Sequence, residues 1–426
     1  MTKSYKKRLI ICFMGILLTL CFHHFVSKKM EFVTYSNGNL EIQDYAYHII
    51  IVKKFWFDGF GNIYKLAFQQ QALSAHFGSQ VYTVMPLGIT PIALVVWLPF
   101  AYAARFSMAL SYTLWITFSL GILITAFWNI VPNFYRNKNL PILPVVLSLI
   151  TLFSAATFRA LQLGQTSVLA AGLLIYLFCF AHRSKFGNLL IVSLLIFILG
   201  IKPPYIALGL GLLIIYGMWK ETLYSITIVL VFILGITPLL TIEWIPTYFY
   251  LLQIHCSGTI PGFYAWSINP ETMNIFRSAF RNIIGDNISS IISNVVIYSV
   301  YIGIVGPTIL TRIRGKTTCK LTSLKLTKGQ LFVLLVASYL LFAPYAGAYE
   351  DVLFLPVFFT VLKVGNTPNL TNYKSLALIF ALFAILLQSY FPPDKPLWLF
   401  WILKAFILWN AVNFCRYIPQ GKDGIL

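Results

Sequence analysis

The sequence predicts an all-α polytopic membrane protein with about 12 transmembrane helices and additional external loop helices. Of the 426 residues, 59% are hydrophobic and only 10% are charged, which leaves too little polar surface to cover a soluble globule of this length. Apolar runs close to the roughly 17–25 residues that a helix needs to cross the hydrocarbon recur along the chain. The alternating pattern of membrane β-barrel strands is absent, so helices are expected.

Thirteen apolar segments are the candidates for transmembrane helices. They are residues 8–26, 86–104, 107–130, 142–158, 167–181, 189–201, 204–218, 222–243, 291–311, 330–344, 352–363, 375–390 and 396–414. Both termini carry basic residues, which place them in the cytoplasm and require an even number of crossings. We therefore expect at least one segment to be re-entrant or merged, either residues 86–104, which two prolines interrupt, or the pair flanking Lys202.

The charges indicate topology rather than a nucleic-acid partner. When the basic loops are placed in the cytoplasm, 19 of the 31 Lys and Arg residues fall there, as the positive-inside rule requires. All acidic residues except Glu221 and Asp423 then map to the opposite side or its membrane boundary. We expect the chemistry on the non-cytoplasmic face, and the expected location is a bacterial inner (cell) membrane with the active site facing the periplasm or exterior.

Residues 1–426 are expected to form a single integral membrane domain. Two long hydrophilic segments, residues 27–85 and residues 244–290, are predicted to be structured external loops. The first contains the aromatic stretch HIIIVKKFWFDGF, which suits helices that lie on the membrane surface. Together the two loops are expected to cap a cavity.

Asp44, in the stretch EIQDYAYH, is the candidate catalytic residue. It follows the first apolar segment and precedes the aromatic stretch, so its carboxylate can face a cleft at the membrane boundary. One reaction that a single carboxylate could serve is transfer of a sugar from a lipid phosphate. In that reaction the phosphate leaves without a general acid, and one base suffices to take the proton of the acceptor hydroxyl. The alternative is a solvated loop carboxylate.

Four basic residues are candidates for binding a donor phosphate. Lys202, in ILGIKPPY, lies where two prolines interrupt an apolar run, and a lipid phosphate would balance its charge. Arg159, in FRALQLGQTSVL, lies on a turn between apolar segments. Arg277 and Arg281 are four residues apart and share a helix face. Snorkelling, helix capping or contact with anionic membrane lipids is the alternative role of these residues.

Three further polar residues are candidates for binding the sugar or the acceptor. Gln165 follows Arg159 on the same turn, and its amide could bind a sugar hydroxyl or cap a helix. Tyr349 and Glu350 lie between two apolar segments in FAPYAGAYEDVLFLP, where a solvated loop tip is the alternative. The histidines and cysteines show no metal-ligand spacing, so neither a metal nor another cofactor is expected.

These motifs, taken in order, resemble those of glycosyltransferase family 87. This family of membrane enzymes belongs to the C-type superfamily, which includes polyprenol-phosphate-mannose and arabinofuranose transferases. The resemblance covers about residues 40 to 356 and rests on Asp44-Tyr45 with Gly59 and Tyr64, on Tyr82 with Met85-Pro86, on Gly164-Gln165, on Lys202-Pro203, and on Ala343-Pro344 with Pro356. Where the family usually has a histidine in the last motif, this chain has Tyr349 and Glu350.

The resemblance implies a C-type glycosyltransferase-like helical bundle. It also implies inverting transfer of a mannose- or arabinose-like sugar from a polyprenyl-phosphate donor to a glycolipid or glycan acceptor, with Asp44 as the base. Tyr82 joins Gln165, Tyr349 and Glu350 as a candidate for binding the sugar or acceptor. Two alternatives stay open: a transporter or flippase of a lipid-linked or small polar solute, and an enzyme of the same superfamily that acts on a protein or on lipid A.

Overall fold

The structure is a computed structural model. It describes residues 32–34, 40–42, 44–77, 87–128, 142–181, 189–257, 276, 280, 283–313, 326–343, 348–364, 373–386 and 397–415. The α-helices in these ranges are α1 (Asp44–Lys53), α2 (Leu66–Phe77), α3 (Ala93–Val96), α4 (Leu98–Ala103), α5 (Met108–Trp128), α6 (Ile142–Leu152), α7 (Ala155–Gln162), α8 (Ser167–Ala181), α9 (Leu189–Leu199), α10 (Pro203–Tyr216), α11 (Trp219–Leu240), α12 (Trp244–Ser257), α13 (Asp286–Ile313), α14 (Lys328–Phe342), α15 (Phe354–Val364), α16 (Tyr373–Leu386) and α17 (Leu397–Phe414).

Four shorter elements complete the description. Lys54–Asp58 continues α1 as a π-helical turn, and Ala348–Leu353 forms a 3₁₀ segment before α15. Strands β1 (Phe32–Thr34) and β2 (Leu40–Ile42) pair antiparallel, with Val33 opposite Glu41. This hairpin lies in the predicted first external loop, for which the sequence analysis indicated surface helices and did not predict strands.

Several helices have the length and the apolar composition of membrane-spanning helices. Within the described ranges, four helical stretches are long and apolar enough to cross a membrane, and they are Met108–Phe127, Ile142–Gln162, Trp219–Leu240 and Asn287–Leu310. Shorter apolar helices accompany them in the described residues. Large apolar side chains on α11 and α13 are exposed, among them Leu234 and Ile302. A helical bundle with such outward faces is consistent with a lipid surrounding.

The described apolar segments are helical over most of their length, two of them are divided into shorter helices, and residues 8–26 lie outside the described residues. The segment predicted over 86–104 contains two short helices, α3 and α4, which meet at Trp97. The segment predicted over 142–158 is split at Ser154, whose hydroxyl caps α7 by accepting a hydrogen bond from Thr157 N (3.2 Å). The predicted loop 244–290 contains α12 and the beginning of α13.

Helix α1 is buried rather than laid on a membrane surface. Its residues Tyr45–Tyr47 and Ile49–Val52 are all buried, so apolar side chains cover almost its whole circumference. Protein atoms cover these side chains, and α1 packs against α2 and α4. The predicted surface helix is therefore part of the core.

Helix α8 is the centre of the bundle. It packs against α5, α10, α15 and the 3₁₀ segment, and its residues from Ser167 to Ile175 are buried. Gly172 permits the contact with α5, because a Cβ there would lie 2.9 Å from the Cα of Leu123. Small residues allow this close approach of helix backbones in membrane proteins. The turn before α8 is thereby held deep in the molecule.

Candidate functional site

The turn between α7 and α8 is fixed to α5 by side-chain hydrogen bonds. Tyr112 donates to the carbonyl oxygens of Leu161 and of Gln162 (2.8 Å to the latter), and Trp115 Nε1 donates to the Gly164 carbonyl (3.0 Å). Gly164 has a φ of +65°, a left-handed conformation that disfavours residues with a Cβ. A Cβ at Gly164 would also lie 2.4 Å from the Cβ of Tyr45. The turn can therefore approach the beginning of α1 closely.

This approach brings Asp44 to the turn. Asp44 is the first residue of α1, where the helix dipole favours a carboxylate. The next residue, Tyr45, donates its backbone N–H to the Leu163 carbonyl (3.3 Å). Gln165 Nε2 donates to the Asp44 carboxylate. Two of the predicted site residues, far apart in the chain, are thus in direct contact.

Gln165 also contacts Lys202, whose Nζ donates to Gln165 Oε1 (3.1 Å). Because a carboxylate only accepts hydrogen bonds and an ammonium only donates them, one orientation of the Gln165 amide serves both partners. Gln165 is only 6% exposed, so water does not readily replace these contacts. The amide therefore links Asp44 to Lys202 and keeps the two charges from pairing directly.

The break between α9 and α10 determines the position of Lys202. Pro203 and Pro204 occupy the first turn of α10, where helix N–H groups need no partner within the helix. Lys202 is the extended residue before them (φ −121°, ψ 135°), as expected before a proline. Thr90 steadies the break, because its N–H donates to the Ile201 carbonyl (2.9 Å) and its hydroxyl to the Gly200 carbonyl.

Glu350 completes the cluster from the 3₁₀ segment. Its Oε1 lies 3.6 Å from Lys202 Nζ, and the Tyr205 hydroxyl lies 2.7 and 2.6 Å from its two carboxylate oxygens. Lys202 Nζ lies 5.6 Å from the ring centre of Tyr205 and 5.7 Å from that of Tyr349, distances at which an ammonium is attracted to an aromatic face. We call Asp44, Gln165, Lys202, Tyr205 and Glu350 the polar cluster.

The members of the polar cluster differ in access to solvent. Glu350 and Tyr205 are each 1% exposed, whereas the Lys202 side chain is 19% exposed and Asp44 is half-buried. Burial raises the pKa of the Glu350 carboxyl above its ordinary value, and the nearby Lys202 ammonium and Tyr205 hydroxyl act in the opposite direction. A ligand would therefore meet Lys202 and Asp44 first, with Glu350 behind them.

The remaining predicted site residues fall in different places. Arg159 lies on α7, where its Nη1 donates to Gln162 Oε1 (3.1 Å), one turn before Gln165. Tyr349 borders the polar cluster through Lys202. The other three, Tyr82, Arg277 and Arg281, lie outside the described residues.

Sequence reasoning missed Tyr205, which holds Glu350 with its hydroxyl and faces Lys202 with its ring. Its place three residues after Lys202 in the first turn of α10 was a weak signal, because tyrosine is common in apolar segments. It also missed Tyr112 and Trp115, whose hydrogen-bond partners are backbone carbonyls that no sequence pattern reveals.

Within the described ranges, no three His, Cys, Asp or Glu residues lie together in a way that could hold a metal ion. The chemistry that the polar cluster can perform is acid–base chemistry and anion binding. Comparisons of the chain with protein-family models, with curated proteins and with solved structures find no match.

Proposed function

We propose that the chain is a membrane glycosyltransferase that moves a sugar from a polyprenyl-phosphate donor to a glycolipid or glycan acceptor, with inversion, on the non-cytoplasmic face. The observation that carries this proposal is the hydrogen-bonded chain from Asp44 through Gln165 to Lys202. It places a candidate base and a candidate phosphate-binding cation on either side of one amide. The sequence resemblance had named the same three residues.

In the proposed reaction, Asp44 takes the proton of the acceptor hydroxyl. The hydroxyl oxygen attacks the anomeric carbon of the sugar from the face opposite the phosphate, and the bond between that carbon and the phosphate oxygen breaks. The polyprenyl phosphate leaves with the bonding electrons, and the positive charge of Lys202 stabilises the charge that develops on it. Gln165 orients the carboxylate, which keeps the reacting groups in line.

Glu350 is a second carboxylate, besides Asp44, close to Lys202. Two negative charges beside one lysine would disfavour the binding of an anionic phosphate there. The contact between Lys202 and Glu350 is long at 3.6 Å, whereas Tyr205 holds both oxygens of Glu350 within 2.7 Å. Burial also favours the neutral form of the Glu350 carboxyl. A donor phosphate can therefore take Lys202 while Tyr205 keeps Glu350 in place.

The test is sugar transfer by purified protein in nanodiscs, offered a panel of radiolabelled polyprenyl-phosphate sugars together with a membrane lipid extract. The expected result is labelled product from at least one mannose- or arabinose-type donor. Product of inverted anomeric configuration would support the single-base mechanism. Absence of transfer with every donor, from protein shown to be folded by its thermal transition, would overturn the proposal.

A transporter or flippase of a lipid-linked or small polar solute is the second candidate. It is favoured by charged side chains deep within the helical bundle, because such residues often mark substrate or ion pathways. Lys404 and Asp351 form one such pair, both almost wholly buried. Solute or lipid flux into proteoliposomes without any sugar transfer would support this candidate instead.

A further inference from the structure

A second ion pair lies beside the polar cluster. Lys404 Nζ, on α17, is 2.5 Å from Asp351 Oδ1, and the side chains are 0% and 1% exposed. Apart from this ion pair, neither carboxylate oxygen of Asp351 nor Lys404 Nζ has a hydrogen-bond partner among the described residues. A buried ion pair repays the cost of removing its charges from water only when its remaining hydrogen-bonding groups are satisfied. Stability alone therefore does not account for this pair.

The pair shares its segment with Glu350. Glu350 and Asp351 are consecutive residues of the 3₁₀ segment Ala348–Leu353. With three residues per turn, successive side chains of a 3₁₀ helix point about 120° apart. Glu350 accordingly reaches Lys202 and Tyr205 on α10, while Asp351 reaches Lys404 on α17. The segment is held by ionic contacts in two directions.

This segment is also the meeting point of the elements that build the polar cluster. It packs against α7 and α8, whose connecting turn carries Gln165, and against α14 and α15. A 3₁₀ helix has poor hydrogen-bond geometry of its own, so side-chain contacts must determine where such a short segment lies. Asp351 contributes the contact on the side away from Lys202.

We propose that the Asp351–Lys404 pair is a positioning device that holds the 3₁₀ segment so that Glu350 faces Lys202 and Tyr205. Asp351 and Lys404 are positioning residues and touch no substrate. The geometric part of this proposal is independent of the reaction, whereas its effect on turnover rests on the proposed glycosyltransferase function.

The geometric part can be tested by a double-mutant cycle on thermal stability in detergent. Glu350→Gln is introduced into the wild type and into a variant whose ion pair is replaced by apolar residues of similar size, Asp351→Leu with Lys404→Met. Such replacements are commonly tolerated when both charges are removed together. If this background does not fold, Asp351→Asn with Lys404→Gln takes its place.

Glu350→Gln should lower the Tm of the wild type. In the variant that lacks the Asp351–Lys404 pair, the loss of Tm should be less than about half as large, because Glu350 no longer faces its partners there. A matched control removes the exposed pair Lys65–Glu243 by Lys65→Met with Glu243→Gln, and there the loss of Tm should be unchanged. Equal losses in all three backgrounds would overturn the proposal.

An activity measurement separates this proposal from the proposed function. In the background lacking the Asp351–Lys404 pair, the transfer rate should fall roughly ten- to a hundredfold, because the shifted 3₁₀ segment no longer holds Lys202, the proposed phosphate-binding residue, through Glu350. Coupling in Tm without transfer by the wild type would leave the positioning role standing and remove the glycosyltransferase. Transfer by the wild type without coupling in Tm would support the glycosyltransferase and overturn the positioning role.

Discussion

The side-chain amide of Gln165 donates to the carboxylate of Asp44, a residue 121 positions earlier in the chain. The same amide accepts from Lys202, 37 positions later. Without Gln165, the lysine and the aspartate could pair directly and neutralise each other. The arrangement keeps the proposed base and the lysine ammonium close but separate, as the proposed proton abstraction beside a bound phosphate requires.

Gln165→Leu should lower sugar transfer roughly ten- to a hundredfold, because Asp44 and Lys202 could then pair with each other and Asp44 would lose the amide that orients its carboxylate. The loss should appear mainly in kcat, since the proposed role of Gln165 is to orient the reacting groups. Steady-state transfer rates over a range of donor concentrations measure it. Gln70→Leu, on the exposed face of α2, is the control and should keep the wild-type rate. Equal rates for the two variants would contradict a role for Gln165.

Gly164→Ala should destabilise the protein markedly. The left-handed φ of +65° is strained for alanine, and the new Cβ would lie 2.4 Å from the Cβ of Tyr45. The strain alone is worth about 1–2 kcal/mol, and the overlap adds to it. Thermal unfolding in detergent measures the change.

Gly121→Ala, on α5, is the control for this substitution, because nothing lies within 4 Å of the position that its methyl group would take. It should leave Tm unchanged or raise it slightly, since alanine is favoured over glycine in a helix. Equal unfolding temperatures for the two variants would contradict the close packing of the turn at Gly164 against Tyr45 of α1.

Glu243→Gln should leave Tm unchanged at neutral pH and physiological salt. Lys65 lowers the pKa of the Glu243 carboxyl by hydrogen bonding and charge, but both side chains are more than half exposed, at 53% and 63%, and exposed pairs contribute little. Because the pKa is lowered in the folded state, any contribution exists at neutral pH and disappears as pH falls through the folded-state value. A clear Tm difference at neutral pH would refute the claim that the pair contributes little, and a difference that grows on acidification would refute the lowered pKa.

Helix α11 gives a test of topology. Its 22 residues extend about 33 Å at 1.5 Å per residue, enough for a hydrocarbon core of about 30 Å. Lys220, near its beginning, is predicted inside and Glu243, after its end, outside; both are exposed. With the six native cysteines replaced by serine, an impermeant maleimide added to intact cells should label Glu243→Cys and spare Lys220→Cys. The opposite pattern would contradict the predicted topology and, with it, the proposed location of the polar cluster on the non-cytoplasmic face.

Much of the helical framework could be predicted because long apolar runs have few alternatives in lipid. The sequence also indicated Asp44, Gln165, Lys202 and Glu350 as separate candidates. Each is a polar residue at the end or interruption of an apolar segment, which is where a buried polar site can form. Their mutual contacts depend on how α1, α8 and α10 pack, and sequence periodicity does not determine packing.

Two features were missed for identifiable reasons. Lys404 lies in the middle of the apolar run LWLFWILKAFILWN, and a lone lysine there is itself a sign of a buried partner. The burial of α1 was missed because its aromatic and apolar residues suit a membrane surface and a protein core equally well. The contact that distinguishes them, such as the Tyr45 hydroxyl donating to the Ser111 carbonyl (2.9 Å), lies across distant parts of the chain.

The most direct test of the central claim compares Asp44→Asn with Asp58→Asn in the sugar-transfer assay. Both substitutions remove one carboxylate charge, but Asp58 is exposed at the end of the π-helical turn and outside the polar cluster. If Asp44 is the base, Asp44→Asn should lower transfer by roughly 10²–10⁴-fold with its Tm retained, while Asp58→Asn transfers at the wild-type rate. Undiminished transfer by Asp44→Asn would remove Asp44 from the mechanism and contradict the account.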